Sequence, residues 1–287
     1  MAGDARSPTV RRRELGALLR AMRTEAGMTV EQVAEALLVS PSKVSRLETG
    51  HRGASPRDIR DLSALYGVTE PALREHLDAL AKEGKEQAWW QPYDLPYATY
   101  VGLEAEATTI SDFESGVIPG LLQTPDYARA VHEANMPTLS PAVIEQRIEA
   151  RRTRQAILTR DDEPPTLRAI ADEAVLHRVV GGPAVMAAQL DHVIQACDRP
   201  NVTVQVIPYA VGAHPALDST FILLTFAPPV SGVVYVDGLV GQVYLERPQD
   251  VERYTQIFAR LLTFALDERA SIDLMAKLSA AYKRLTT

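Results

Sequence analysis

The stretch that decides the fold of the first part of the chain is TVEQVAEALLVSPSKVSRLETG, residues 29–50. Thr29 is suited to cap a helix, because Gln32 follows three residues later and completes the pattern of a capping box. The dipeptide Ser40-Pro41 starts a second helix, since proline at the first helical position loses no hydrogen bond. Gly50 ends that helix. The stretch therefore predicts two short helices joined by a tight turn.

The second of these helices divides into an inward and an outward face. Val44 and Leu47 are three residues apart, which places both on the face that packs inward. The remaining positions turn outward and carry polar side chains, namely Ser42, Lys43, Ser45 and Arg46. We expect this face to meet DNA, whereas a merely solvated helix surface is the alternative interpretation of the same residues.

Three more helices are predicted around this pair. Arg11–Glu25 carries apolar residues at helical spacing. A Ser-Pro pair at residues 55–56 opens a helix through Tyr66, and a fifth helix covers about residues 70–83. We interpret residues 1–83 as an all-α domain of five helices.

Aromatic residues mark the end of this domain. Residues 1–84 contain one aromatic residue, whereas residues 89–100 contain five. We interpret residues 84–100 as a connector whose rings pack on a neighbouring surface, because five free aromatic side chains in water would be costly. A platform for stacked nucleic-acid bases is the alternative interpretation.

Residues 101–287 mix helical patterns with short β-branched runs, which predicts an α+β domain with a small, mainly antiparallel sheet. Asp237-Gly238 is a hairpin-turn signal, with a return strand at residues 242–245. Other strands are predicted at residues 166–170, 202–208, 221–226 and 233–236. Helices are predicted at residues 105–116, 125–135, 140–160, 249–266 and 268–285.

The charge of the chain is unevenly distributed. The formal net charge is −7, but residues 1–60 carry 11 basic and 7 acidic residues, a balance of +4. The rest of the chain therefore carries −11. A basic head can meet DNA phosphates, and an acidic body favours a basic protein partner.

Cysteine usage and hydropathy indicate the compartment. Cys197 is the single cysteine and cannot form an intrachain disulfide, which fits a reducing cytoplasm. No apolar run approaches the roughly 20 residues of a membrane helix, and the first residues lack the apolar segment of a signal peptide. We expect a cytoplasmic protein with no membrane partner.

No catalytic pattern stands out. The six histidines show no paired ligand spacing, and a single cysteine makes a zinc cluster implausible. Asp172-Glu173 could act as acid and base, but adjacent residues of a strand point to opposite faces, so a helix cap or an ion pair is the better interpretation. We expect no enzyme, no cofactor and no metal.

Residues 29–50 resemble the helix-turn-helix of Xre, or lambda-repressor-like, regulators. The resemblance covers roughly residues 11–75 and is carried by Ala34, the Val39-Ser40 turn and the run VSRLETG at residues 44–50. It implies a five-helix DNA-binding domain whose second helix of the pair enters the major groove of double-stranded DNA.

The resemblance also implies roles for individual residues. Ser42 and Arg46 correspond to base readers, and Arg46 can make a bidentate contact to guanine. Lys43 corresponds to a base or phosphate contact. The resemblance further implies backbone clamps at Thr29, Thr49 and Arg52, a phosphate footprint extended by Arg11, Arg12 and Arg13, and a buried ion pair of Arg23 with Glu48.

Two positions depart from the pattern. Leu38 stands in the turn where glycine is frequent and a positive φ is expected, at a cost of about 1 kcal/mol. Val30 stands where a glutamine often contacts phosphate, so we expect that contact to be missing.

The rest of the chain resembles the C-terminal domain of actinobacterial Xre regulators described as antitoxin-like. The resemblance is carried by Trp89-Trp90, by IPGLLQTPDYA at residues 118–128, by RRTRQ at residues 151–155, and by Gln189-Leu190. It implies a regulator encoded beside a small partner protein. The loop 118–125 either lines a pocket or a partner groove, or its leucines belong to the core.

Two hypotheses follow. The first is a homodimeric transcription regulator that reads a short palindromic site and is modulated through its larger domain by a partner protein or ligand. The second is an interaction protein that binds a small co-encoded partner and uses DNA binding for autoregulation only.

Overall fold

The computed structural model describes residues 7–93, 95–238 and 241–286. The chain forms two compact units. The first unit comprises residues 1–106 together with 227–231, and the second comprises residues 107–226 and 232–287.

The first unit is helical, as predicted for residues 1–83. Its first helix begins three residues earlier than expected, because Pro8 occupies the first helical turn. A short 3-10 turn and a sixth helix follow in and after the connector. The elements are α1 Pro8–Glu25, α2 Val30–Ala36, α3 Pro41–Glu48, α4 Pro56–Leu65, α5 Pro71–Glu83, the 3-10 turn Gln91–Tyr93 and α6 Ala98–Glu104.

The helix starts follow the predicted caps. Thr29 Oγ1 accepts a hydrogen bond from Gln32 N at 3.2 Å, and Gln32 Oε1 accepts one from Thr29 N at 2.8 Å. Ser40 Oγ accepts from Lys43 N at 3.2 Å at the start of α3. A second capping box joins Ser55 and Asp58 at the start of α4. These local contacts explain why the sequence located the helices.

The helices share one apolar core, and α1 crosses α3 at close range. Leu15 and Leu19 of α1 are buried with Val44 and Leu47 of α3. At Gly16 a Cβ atom would lie 2.6 Å from two carbonyl oxygens of α3, so only glycine permits this approach.

The connector packs within the first unit, as predicted. Trp89 meets Trp90 edge to face at 5.6 Å and Tyr93 at 6.1 Å between ring centroids. Trp90 and Tyr100 are buried. Three rings of the connector contact one another and Trp90 is buried, which favours the packed connector over a free platform for bases.

The second unit is built on a mixed sheet. Its strands are β1 Thr109–Glu114, β2 Thr166–Asp172, β3 Val202–Ile207, β4 Phe221–Thr225, β5 Val233–Gly238 and β6 Gly241–Leu245. The strand order is β3-β2-β1-β4-β5-β6. The β1–β2 and β2–β3 pairs are parallel, and the other three pairs are antiparallel. The predicted α+β class with a mainly antiparallel sheet is confirmed.

Helices flank the sheet in this unit. On one face, Phe258 and Leu261 of the eleventh helix pack on Phe113, Phe221 and Val234 of the strands. The helices are α7 Pro125–Asn135, α8 Pro141–Gln155, α9 Glu173–His177, α10 Pro183–Ala196, α11 Pro248–Leu262 and α12 Glu268–Arg284. No helix among the described residues is long and apolar enough to cross a membrane.

The helix predicted at residues 105–116 is wrong, since Thr109–Glu114 forms β1 at the centre of the sheet. The strand is buried on both faces, including the polar residues Ser111 and Asp112. Burial on both faces removes the polar–apolar alternation that identifies a half-exposed strand.

The predicted pairing of β5 with β6 forms, but β5 continues through the two residues that were predicted as the turn. Asp237 pairs with Gln242 and Gly238 with Gly241, so both turn-signal residues belong to the strand. Residues 239–240, between the two strands, lie outside the described residues.

The loop 118–125 belongs to the core of the second unit. Leu121 and Leu122 are buried. Gln189 of α10 holds the loop from both sides, because its Nε2 donates to Leu122 O at 2.6 Å and its Oε1 accepts from Thr124 N at 2.7 Å. The core interpretation of these leucines is confirmed.

Candidate nucleic-acid interface

The outward face of α3 is the centre of the candidate interface. Val44 and Leu47 are buried and fix the helix in the core of the first unit. Ser42, Ser45 and Arg46 are exposed on the opposite side, as the spacing predicted. The helix therefore presents two hydroxyls and a guanidinium to solvent.

Arg46 keeps most of its hydrogen-bonding capacity. Its Nε donates to Ser42 O at 3.3 Å, within α3 itself. Among the residues that the structure describes, no carboxylate pairs with Arg46. The terminal nitrogens of its guanidinium can therefore form a bidentate contact.

Lys43 is held differently. Its Nζ forms an ion pair with Asp58 Oδ1 of α4 at 2.5 Å. Burial pushes the pKa of Asp58 upward, but hydrogen bonds from Lys43 and Ser55 outweigh it and hold the pKa below its usual value. Lys43 is therefore engaged by Asp58, and sequence reasoning missed this contact because it joins two helices.

The three expected backbone clamps lie at the ends of the two helices. Thr29 is exposed at the start of α2, and Arg52 is exposed just beyond α3. Thr49 Oγ1 donates to Ser45 O at 2.9 Å and lies 2.9 Å from His51 Nδ1. The three residues therefore flank the pair of helices α2 and α3 along the chain.

The predicted ion pair of Arg23 with Glu48 is confirmed. Arg23 Nε and Nη2 donate to the two carboxylate oxygens of Glu48 at 2.6 and 3.0 Å. Arg23 Nη1 also donates to Met28 O at 2.7 Å. The hydrogen bond to Glu48 raises the pKa of Arg23. This bidentate contact ties α1 to the end of α3 and so orients the outward face.

Two of the three arginines expected to extend the phosphate footprint, Arg11 and Arg12, have partners within the first unit. Arg11 is 6% exposed and pairs with Glu14 and Glu83. Arg12 is half-buried and donates to Gly84 O at 3.0 Å. Both side chains pack inside the first unit instead of facing outward.

Comparisons with known proteins agree with this geometry. Residues 14–77 match the family described as a helix-turn-helix domain, which indicates a DNA-binding regulator. Residues 97–277 match the family described as a domain of unknown function (DUF5753). That match covers more than half of the chain, so the protein belongs to this family. No curated protein and no solved structure matches the chain.

Proposed function

We propose that the protein is a sequence-specific transcription regulator of the Xre type that acts in the cytoplasm as a homodimer. It reads DNA with α3 and is modulated through its second unit by a partner protein or ligand. The observation that supports base reading is the exposed, carboxylate-free guanidinium of Arg46 on a helix whose opposite side is locked in the core. Ser42 and Ser45 flank it as further contacts to base edges.

The proposed mode of action is binding, not catalysis. The one acidic pair considered as acid and base has structural contacts that support this proposal. Asp172 Oδ1 accepts from Ala174 N at 2.8 Å and caps α9. Glu173 accepts from Tyr209 N at 2.7 Å and contacts His177 at 3.1 Å.

The test of DNA reading compares the protein's own upstream DNA with shuffled DNA of equal length at two salt concentrations. We expect a preference for the upstream DNA that survives the higher salt, because phosphate contacts alone weaken on both sequences. Arg46→Ala should reduce this preference by about tenfold or more, since a bidentate base contact contributes about 1–3 kcal/mol.

The matched control is Arg253→Ala, which removes one exposed positive charge from α11 in the second unit. It should leave the preference unchanged. Equal, salt-sensitive binding of both DNAs by the natural protein would contradict the proposal.

The homodimer is tested through the geometry of the site. Two recognition helices of a dimer meet successive major grooves about 34 Å apart. We expect two chains per duplex, and we expect an insertion of about 5 bp between the half-sites to abolish tight binding. One chain per duplex with no effect of the insertion would contradict the homodimer.

A small, basic, co-encoded protein is the proposed partner. The charge of −11 outside the first 60 residues supports a basic partner. Tyr209 supports a contact surface on the second unit, because it is 57% exposed and stacks on His177 at 5.6 Å.

The same observations favour the second candidate, an interaction protein that uses DNA binding for autoregulation only. Co-purification with the neighbouring gene product tests both. The partner should bind the natural protein and Arg46→Ala equally, and Tyr209→Ala more weakly. If the partner leaves DNA affinity unchanged, only the second candidate survives.

A further inference from the structure

A small cavity lies between α1 and the connector within the first unit. Its volume is about 270 Å³. Its walls combine one guanidinium, two hydroxyls, an amide, an indole and two aliphatic side chains. The lining residues are Thr9, Arg12, Trp90, Gln91, Leu95, Ala98 and Thr99.

Arg12 is the single charged group of this lining. Its Nη1 donates to Gly84 O at 3.0 Å and its Nη2 donates to Thr9 Oγ1 at 3.4 Å. These bonds engage two of the five N–H groups of a guanidinium. In residues 7–93, 95–238 and 241–286, no carboxylate forms an ion pair with Arg12.

The surroundings of Arg12 favour an added negative charge. Burial, and then the charge of Arg13, lower the pKa of the Arg12 guanidinium. A half-buried cation next to a second cation is stabilised when an anion supplies the missing opposite charge.

The walls of the cavity are held tightly. A Cβ on Gly84 would lie 2.9 Å from Arg12 Cγ, and a Cβ on Gly102 would lie 2.8 Å from the Trp90 ring and 2.5 Å from Thr9 Oγ1. The backbone therefore packs directly against three lining side chains. Such a preformed wall loses little freedom when a ligand binds.

We propose that this cavity binds a small monocarboxylate with a flat apolar body. The carboxylate accepts hydrogen bonds from the remaining N–H groups of Arg12 and from the hydroxyl of Thr99. The apolar body packs on the edges of Trp90 and Leu95 that line the cavity. Neither family description names a ligand site here. Binding at this cavity does not depend on DNA reading.

The chemistry of the lining selects this class of ligand. The lining holds one guanidinium with neutral hydroxyl and amide donors, which balances a single negative charge, whereas a phosphate dianion calls for a second cation in the lining and Arg13 is not part of it. The volume lies just below the usual range of about 300–1,000 Å³ for ligand sites, which restricts the body to about one ring.

The test is calorimetric titration of the full-length protein with benzoate, benzamide and phenyl phosphate, in the absence of DNA. We expect benzoate to bind, benzamide to bind at least about tenfold more weakly, and phenyl phosphate to bind more weakly than benzoate. Arg12→Gln should weaken benzoate binding by at least about tenfold. Arg20→Gln, on an exposed position of the same helix, is the matched control and should bind like the natural protein.

A second variant protects the test against misfolding of Arg12→Gln. Thr99→Leu fills the cavity from an exposed position and should abolish benzoate binding, whereas Thr99→Ser should retain it. The proposal is overturned if benzoate gives no binding to the folded protein, or if Thr99→Leu binds it unchanged. Stronger binding of phenyl phosphate than of benzoate would also overturn it. Because no DNA is present, these outcomes leave the proposed DNA reading to its own experiment.

Discussion

At the scale of single residues, Leu38 shows how far the sequence could predict strain. The turn between α2 and α3 places Leu38 at φ 55°, the left-handed conformation expected for that position. The side chain is 93% exposed, so packing offsets little of the conformational cost. The prediction succeeded because the resemblance to the helix-turn-helix supplied the conformation of this turn position.

Leu38→Gly tests the strain. We expect it to raise the free energy of unfolding by about 0.5 kcal/mol, because glycine adopts a positive φ without a Cβ penalty and this outweighs its greater freedom when unfolded. Ala21→Gly, exposed in the interior of α1, should lower it by about 1 kcal/mol. Urea unfolding measures both, and a loss of equal size at the two positions would refute the account of the turn.

Gly16 is the residue that sequence reasoning missed. A glycine inside a helix lowers its stability by about 1 kcal/mol relative to alanine. The presence of glycine at this position of a predicted helix was therefore the signal that a close contact requires it. We expect Gly16→Ala to lower the free energy of unfolding by about 2 kcal/mol, because its methyl group would lie 2.6 Å from the carbonyl oxygens of Leu47 and Glu48.

Gly53→Ala is the control for this prediction, since its Cβ would lie 3.7 Å from its nearest neighbour, Arg12 Cδ. Thermal unfolding should show little change there. If Gly16→Ala were as mild as Gly53→Ala, α1 and α3 would not be in the close contact described.

At the scale of elements, local signals were predicted well and non-local ones were not. The helices of the first unit carry their own caps, such as Thr29 with Gln32 and Ser55 with Asp58. β1 carries no comparable local signal, because its structure depends on pairing with β2 and β4. The ion pair of Lys43 with Asp58 likewise joins two helices and could not be derived from either one.

The Arg23–Glu48 ion pair is the main polar contact between α1 and α3. Glu48→Gln should lower the free energy of unfolding by about 3 kcal/mol, because it leaves a partly buried guanidinium without its carboxylate. Combining Arg23→Met with Glu48→Leu should recover most of the loss, since no unpaired charge remains. Denaturant titration measures the free energy of unfolding of each variant. A larger loss in the double variant than in Glu48→Gln would contradict this account.

At the scale of the whole molecule, the basic first 60 residues and the acidic remainder support the proposal that DNA contact belongs to the first unit. The sequence located α3 and its outward residues, because helical spacing fixes which side chains are buried. It placed Arg12 in a phosphate footprint, because the side chain's contacts with Gly84 and the connector could not be derived from the sequence of α1 alone.

The stability of the protein should depend on pH through His132. Burial, and then the charges of Arg151 and Arg147, lower its pKa from 6.5 to about 4. A histidine with a lowered pKa resists protonation only in the folded state, so its contribution is intact above pH 6.5 and is lost as the pH falls towards 4.

Urea unfolding at pH 7 and pH 5 measures this effect. His132→Gln should lose less stability than the natural protein between the two values. The loss of stability between the two pH values is also measured for His192→Gln, because burial, and then the charge of Arg199, lower the pKa of His192 in the same direction. Identical losses in the natural protein and His132→Gln would contradict the assignment.

The central claim, that Arg46 reads a base, is tested most directly by replacing each guanine of the bound upstream site with 7-deazaguanine. One replacement should weaken binding of the natural protein by about 1–3 kcal/mol, because it removes the N7 acceptor of a bidentate arginine contact. The same replacement should leave Arg46→Ala almost unaffected. If no replacement weakens the natural protein, or if Arg46→Ala loses the same amount, Arg46 does not read guanine.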